Sequence, residues 1–243
     1  MSLLSWFERK PDAAPVLFTL LFLGAAWFLW QALKPEPPLT LEQAKSLNFR
    51  ASVKGAAFDI PVNYHYTQYS YFKVWPRPTP GEINGTVRRE ADYIKVAALL
   101  PDMAPYTEEN AAEYEKPGWG KKVKMMLGHE KNLNLAGYFN KLVKMDTSTL
   151  PDMVQYEGWS RNMDEFSSPD LSISIRCDNE PAQSNFYPYC EVLRPYHYKL
   201  SIGDPDIPVF HIRYTFSRDY LQQWREIDEK VQALYDRLAE NAH

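Results

Sequence analysis

Val209–Leu238 reads VFHIRYTFSRDYLQQWREIDEKVQALYDRL, and the hydrophobic period changes inside it. Up to Phe216 the stretch reads as a strand, with His211 a hydrogen-bonded structural histidine within it. Beyond Ser217, the residues Leu221, Trp224, Ile227, Val231, Leu234 and Leu238 recur every three to four positions, the period of a helix with one apolar stripe. Ser217 is the expected N-cap, and Glu226 and Lys230 fall on the opposite face as an i,i+4 pair. The stripe is too short for a coiled-coil seam and reads as the face that packs on a sheet. The expected fold class is therefore α+β, a mainly antiparallel β domain with a long C-terminal helix.

Upstream, strands are expected at Tyr93–Leu100, Lys121–Leu127, Tyr138–Lys144, Val154–Ser160, Leu171–Arg176 and Cys190–Ile202. A turn is expected at Pro101-Asp102, and a short acidic helix capped by Thr107 and running through Tyr114. At the start of the domain, Phe49–Val53 and Ala57–Tyr64 flank Lys54-Gly55 and read as a β-hairpin. Pro61 lacks an N–H for a central ladder, so it marks an edge or a bulge. An aromatic run follows, Tyr64, Tyr66, Tyr69, Tyr71, Phe72 and Trp75, ended by Pro76, Pro78 and Pro80.

At the other end of the chain, Ala13–Leu33 (AAPVLFTLLFLGAAWFLWQAL) holds no charged residue. At ~1.5 Å per residue a helix of this length matches a bilayer's hydrocarbon thickness, and the run reads as a single transmembrane helix. Arg9 and Lys10 precede it and Lys34 follows, which places residues 1–12 in the cytoplasm as a short tail. Residues 34–48 then form a proline-rich linker and a short helix with Thr40 as its N-cap, and residues 49–243 the domain beyond the membrane. Cys177 and Cys190 are the only cysteines, and an even pair outside the cytoplasm is expected to be a disulfide.

Composition limits the function classes. The formal net charge of −4 argues against nucleic acid, whose binders carry basic stripes. Five histidines are present, but neither H-x-x-x-H nor C-x-x-C spacing occurs, so no metal site is expected. There is no G-x-S-x-G elbow, no phosphate-cradling glycine loop and no dinucleotide fingerprint. Catalytic residues and cofactors are expected to be absent, and the chain is read as a binding protein.

Two features suit protein binding. Tyr66, Tyr69, Tyr71 and Trp75 are the residue types that anchor interfaces, although the same run also reads as a strand with core aromatics. Glu108, Glu109, Glu113 and Glu115 present four acids within about two turns, able to steer a basic partner.

Taken together, the short tail, the apolar run, the proline spacer, FRASVKGAAFDIPVNY (49–64), ALLPDMAPYTEEN (98–110) and the terminal strand-to-helix stretch resemble a known group. They are similar to inner-membrane-anchored periplasmic immunity proteins of bacterial toxin–immunity pairs, notably those of type VI secretion effectors. The resemblance is carried chiefly by Gly55, Phe58, Ile60, Pro61, Tyr64 and Trp224. It implies a stoichiometric inhibitor, tethered in the bacterial inner membrane, that neutralises a secreted toxin. The competing expectation is an envelope assembly or sensor subunit, for which Gly24-Ala25-Ala26 would supply a helix-packing face.

Overall fold

The structure, a computed structural model, describes residues 13–33, 42, 47–64, 81, 87–129, 134–158, 162–181, 186–197 and 210–240. It divides into two units, Met1–Leu39 and Thr40–His243. In the first, the apolar run forms helix α1, Ala13–Leu33, as expected. Its side chains from Leu21 to Gln31 are exposed. Among the described residues no helix is long and apolar enough to cross a membrane. The expected helix at Leu39–Leu47 lies, apart from the helical Glu42, almost wholly outside the described residues.

In the second unit, β1 (Asn48–Val53) and β2 (Ala56–Pro61) pair antiparallel with Val53 opposite Ala56. That register leaves Lys54-Gly55 as a two-residue turn with φ of 49° and 87°. Positive φ at both positions matches the strand twist that a tight hairpin needs, and Gly55 adopts it without a Cβ penalty. β3 (Arg89–Glu90) joins β1 in parallel, which leaves β2 at the edge of this three-stranded sheet. Pro61 therefore sits on an edge strand, as its missing N–H requires.

The larger sheet contains β4 (Tyr93–Leu99), β5 (Lys122–Gly128), β6 (Val154–Glu157), β7 (Met163–Ser167), β8 (Ser174–Asp178), β9 (Tyr189–Tyr196) and β10 (Phe210–Ser217). Its order is β4-β5-β10-β9-β8-β7-β6, and every neighbouring pair is antiparallel. The unit also holds the helices α2 (Ala111–Glu115), α3 (Leu135–Phe139) and α4 (Trp224–Glu240).

Alternation puts Ile94, Val96, Val123, Met125, Leu127, Val192, Phe210, Ile212, Tyr214 and Phe216 on one face of the sheet, all buried. α4 supplies the facing layer. Trp224, Ile227, Val231, Leu234 and Leu238 are buried as the spacing predicts, and so is Leu221 in the 3-10 turn Arg218–Gln223 before it. Ser217 caps that turn, its Oγ accepting from the Asp219 N–H at 3.4 Å. β2 packs against α4 as well. Glu226 and Lys230 pair at 2.6 Å on the outer face.

Four expectations need correction. Tyr138–Lys144 is not a strand: the Asn134 side chain accepts from the Gly137 N–H at 2.7 Å and starts α3, which buries Phe139. Thr107 does not cap α2. It closes a turn with Asn110, its N–H donating to Asn110 Oδ1 at 2.8 Å, and the helix begins beyond. The strand expected at Leu171–Arg176 starts at Ser174, because Leu171 takes a positive φ of 59° in a turn. β7 was not anticipated, because Asp164 and Glu165 break the apolar alternation within it.

The outer edges of the large sheet are occupied. Beside β6, the Met145 N–H donates to Gln155 O at 2.9 Å and the Glu157 N–H to Val143 O at 2.8 Å. Beside β4, Leu99 and Ala104 exchange backbone hydrogen bonds at 2.9 and 3.0 Å. The Tyr114 hydroxyl donates to Ala97 O, also on β4.

Candidate protein-binding surface

The face of the large sheet opposite α4 is built from alternate residues that the strand registers place in rows. One row runs Lys95, Met126, Arg213, Leu193 and Ser174 across β4, β5, β10, β9 and β8. The next runs Ala97, Lys124, Thr215, Glu191, Arg176 and Glu165, the last on β7. Short segments lie over its two ends and leave the middle uncovered among the described residues.

At one end α2 lies over Ala97 and Leu99. Tyr114, Tyr106 and Leu99 form a small buried cluster, with the two rings 5.2 Å apart. The Lys122 ammonium donates to Tyr114 O at 3.3 Å and to Lys116 O at 2.5 Å. Burial lowers the Lys122 pKa, the adjacent Lys124 lowers it further, and Glu113 opposes them. Lys122 thus fastens α2 to the sheet.

At the other end α3 covers β6 to β8. Phe139 packs on Tyr156 with centroids 4.8 Å apart. Tyr138 donates its hydroxyl to the fully buried Glu165, and the Arg176 guanidinium stacks over the Tyr138 ring at 5.3 Å. Burial first, then the bond to Glu165, push the Tyr138 hydroxyl up to about 12, so it stays a donor at neutral pH. Glu165 and Arg176 approach at 3.8 Å. This knot joins helix to sheet and has no access from solvent to the carboxylate.

Between these ends the surface carries cations held by rings. The Lys95 ammonium lies 4.8 Å from the Tyr93 ring centroid and the Lys124 ammonium 5.0 Å from that of Trp119. Trp119 packs on Tyr189 at 5.2 Å. Arg213 reaches Glu191 at 4.0 Å. Lys124 and Tyr93 are exposed, and Lys95, Met126 and Arg213 are half-buried.

The residues expected to bind a partner fall in different places. Tyr66, Tyr69, Tyr71 and Trp75 lie outside the described residues. Glu108 and Glu109 are exposed in the turn before α2. Glu113 pairs with Lys116 at 3.8 Å, and Glu115 accepts from the Tyr106 hydroxyl at 3.3 Å. The four acids therefore border the uncovered face and do not form one continuous helical stripe. Lys95, Lys124 and Met126 were not singled out from sequence. Their alternation in YIKVAAL and KVKMMLG marks them as outward, but only the position of α4 shows which face stays open.

Cys177 and Cys190 stand opposite each other on β8 and β9, Cα atoms 4.1 Å apart, and form the expected disulfide in the buried core. Among the described residues no cluster of His, Cys, Asp or Glu could hold a metal ion.

These elements define an α+β domain whose large sheet has one face closed by a helix and, among the described residues, the other covered only by short segments. No family model matches the chain, and no curated protein does. Among solved structures the fold is similar to that of Smlt3025, an immunity protein of the Stenotrophomonas maltophilia type IV secretion system. The match covers 79% of this chain and 93% of that one, with a TM-score of 0.51 and 12% identity.

Proposed function

We propose that the protein is an immunity protein that binds and neutralises a secreted antibacterial toxin. The observation that supports this most is the fold shared along nearly the whole of Smlt3025. The sequence resemblance points to type VI effectors and the neighbour serves a type IV system, so the reading is of the immunity class, not of one delivery route. On this reading it is not an enzyme, needs no cofactor, and acts by occluding its target.

The same reading places the domain in the periplasm, tethered to the inner membrane by Ala13–Leu33. The charge-free sequence of Ala13–Leu33 motivates the tether, and the buried Cys177–Cys190 bond suits an oxidising compartment. An inhibitor should still protect when a cleavable signal peptide replaces the helix, whereas an envelope assembly subunit should fail.

The test is co-expression with the product of the adjacent reading frame directed to the periplasm. Rescue of growth together with a one-to-one complex is expected. Unchanged killing, with no complex by size exclusion, would overturn the proposal.

A further inference from the structure

Lys95 and Lys124 stand on adjacent strands, Lys95 opposite Met126 and Lys124 opposite Ala97. Diagonal neighbours of this kind are ~7–8 Å apart, and like charges at that spacing repel. Arg213 flanks Met126 from the other side. Among the described residues neither lysine has a carboxylate within ion-pair distance; each rests on a ring instead. A ring orients an ammonium without neutralising it. Two lysines without a carboxylate partner thus stand side by side on one face of a chain whose formal net charge is −4, with Arg213 paired to Glu191 beside them.

From this geometry we infer that the floor around Met126, with Lys95 and Lys124 as its charges and Tyr93 and Trp119 as its rims, docks a carboxylate-bearing patch of the toxin. The inference rests on the proposed immunity function and names the surface that performs it. A bound carboxylate relieves the lysine repulsion, while Met126 and the two rings supply apolar contact area. Glu191, within this face, and Glu113 of α2, close enough to Lys122 to act on its charge, disfavour a uniform polyanion such as nucleic acid and favour a protein surface of mixed sign. Such a pattern also fixes orientation, because a rotated partner would set its acids against these.

The experiment is surface plasmon resonance of the full chain in detergent against the purified product of the adjacent reading frame, at low and high salt. The double variant Lys95→Glu/Lys124→Glu should bind about tenfold more weakly or worse at low salt, chiefly through slower association, with the gap closing as salt rises. Lys124→Arg, with Lys95 kept, should retain wild-type affinity. Lys230→Glu, on the outer face of α4, should stay within about twofold of wild type. Lys124→Gln, a neutralisation at an exposed site, gives the same reading at smaller amplitude if the double reversal does not fold by circular dichroism. Wild-type binding that is equally insensitive to the double reversal, or to Lys124→Gln in its place, and to Lys230→Glu overturns this surface and leaves the immunity reading intact. No binding by wild type overturns both.

Discussion

Asp228 is a carboxylate buried on the otherwise apolar face of α4. It accepts from the Tyr214 hydroxyl at 2.9 Å and from Gln232 Nε2 at 3.2 Å, and it pairs with Arg194 of β9. Removing one partner of a buried pair strands the other without a counter-charge, so Asp228→Ala should cost about 3–5 kcal/mol in urea denaturation. Burial raises the Asp228 pKa above its ordinary 3.8, with Arg194 and then the two hydrogen bonds pulling it back. A carboxyl that holds its proton more tightly when folded favours the fold most below its unfolded pKa, and that contribution fades as pH rises through the folded value. The stability margin of wild type over Asp228→Asn should therefore narrow as pH climbs above about 3.8. A margin that widened would show that the arginine outweighs desolvation.

Among the elements, the β8–β9 ladder is pinned by Cys177–Cys190, which closes a loop with a sequence separation of 13. Loss of that cross-link by Cys190→Ala should lower stability by roughly 2–5 kcal/mol, measured by denaturation of periplasmically expressed protein. Trp224 starts α4 and is 6% exposed, and Trp224→Ala should cost about 3–5 kcal/mol through the cavity it leaves.

Both residues were legible in the sequence, and for a shared reason: a six-residue apolar stripe and an even cysteine count are signals with few competing explanations. The hairpin at Lys54-Gly55 was legible too, because glycine beside alternating apolar residues admits one local geometry. What stayed hidden depends on tertiary packing. β7 carries Asp164 and Glu165, one paired to Arg218 and the other buried under Tyr138, and no local pattern announces a charge bought by a distant partner. α3 read as a strand because Tyr138 and Phe139 suit either state, and only the Asn134 cap decides. The cationic floor depends on which face α4 leaves bare, a choice that no single strand encodes.

For the whole molecule, the proposal predicts where the domain lies. Protease added to spheroplasts should digest the chain down to a short fragment around Ala13–Leu33, while a C-terminal tag that stays protected would reverse the orientation. The cationic face also makes association salt-dependent: the on-rate for the neighbouring gene's product should fall as ionic strength rises from about 0.01 to 0.15 M, where the Debye length shrinks from about 30 to 8 Å.

The occupied margins of the large sheet, at β6 through residues 143–145 and at β4 through Ala104, bear on how recognition can change over generations. A partner cannot join this sheet as an extra strand along those paired stretches, and on the proposed docking reading the face around Met126 meets its target through side chains. Met126 and Arg213 stand on strands paired on both sides, so their side chains can be exchanged without disturbing register. On the proposed immunity reading, specificity on such a platform drifts one substitution at a time, which would let a lineage track a diverging toxin while its scaffold stays constant.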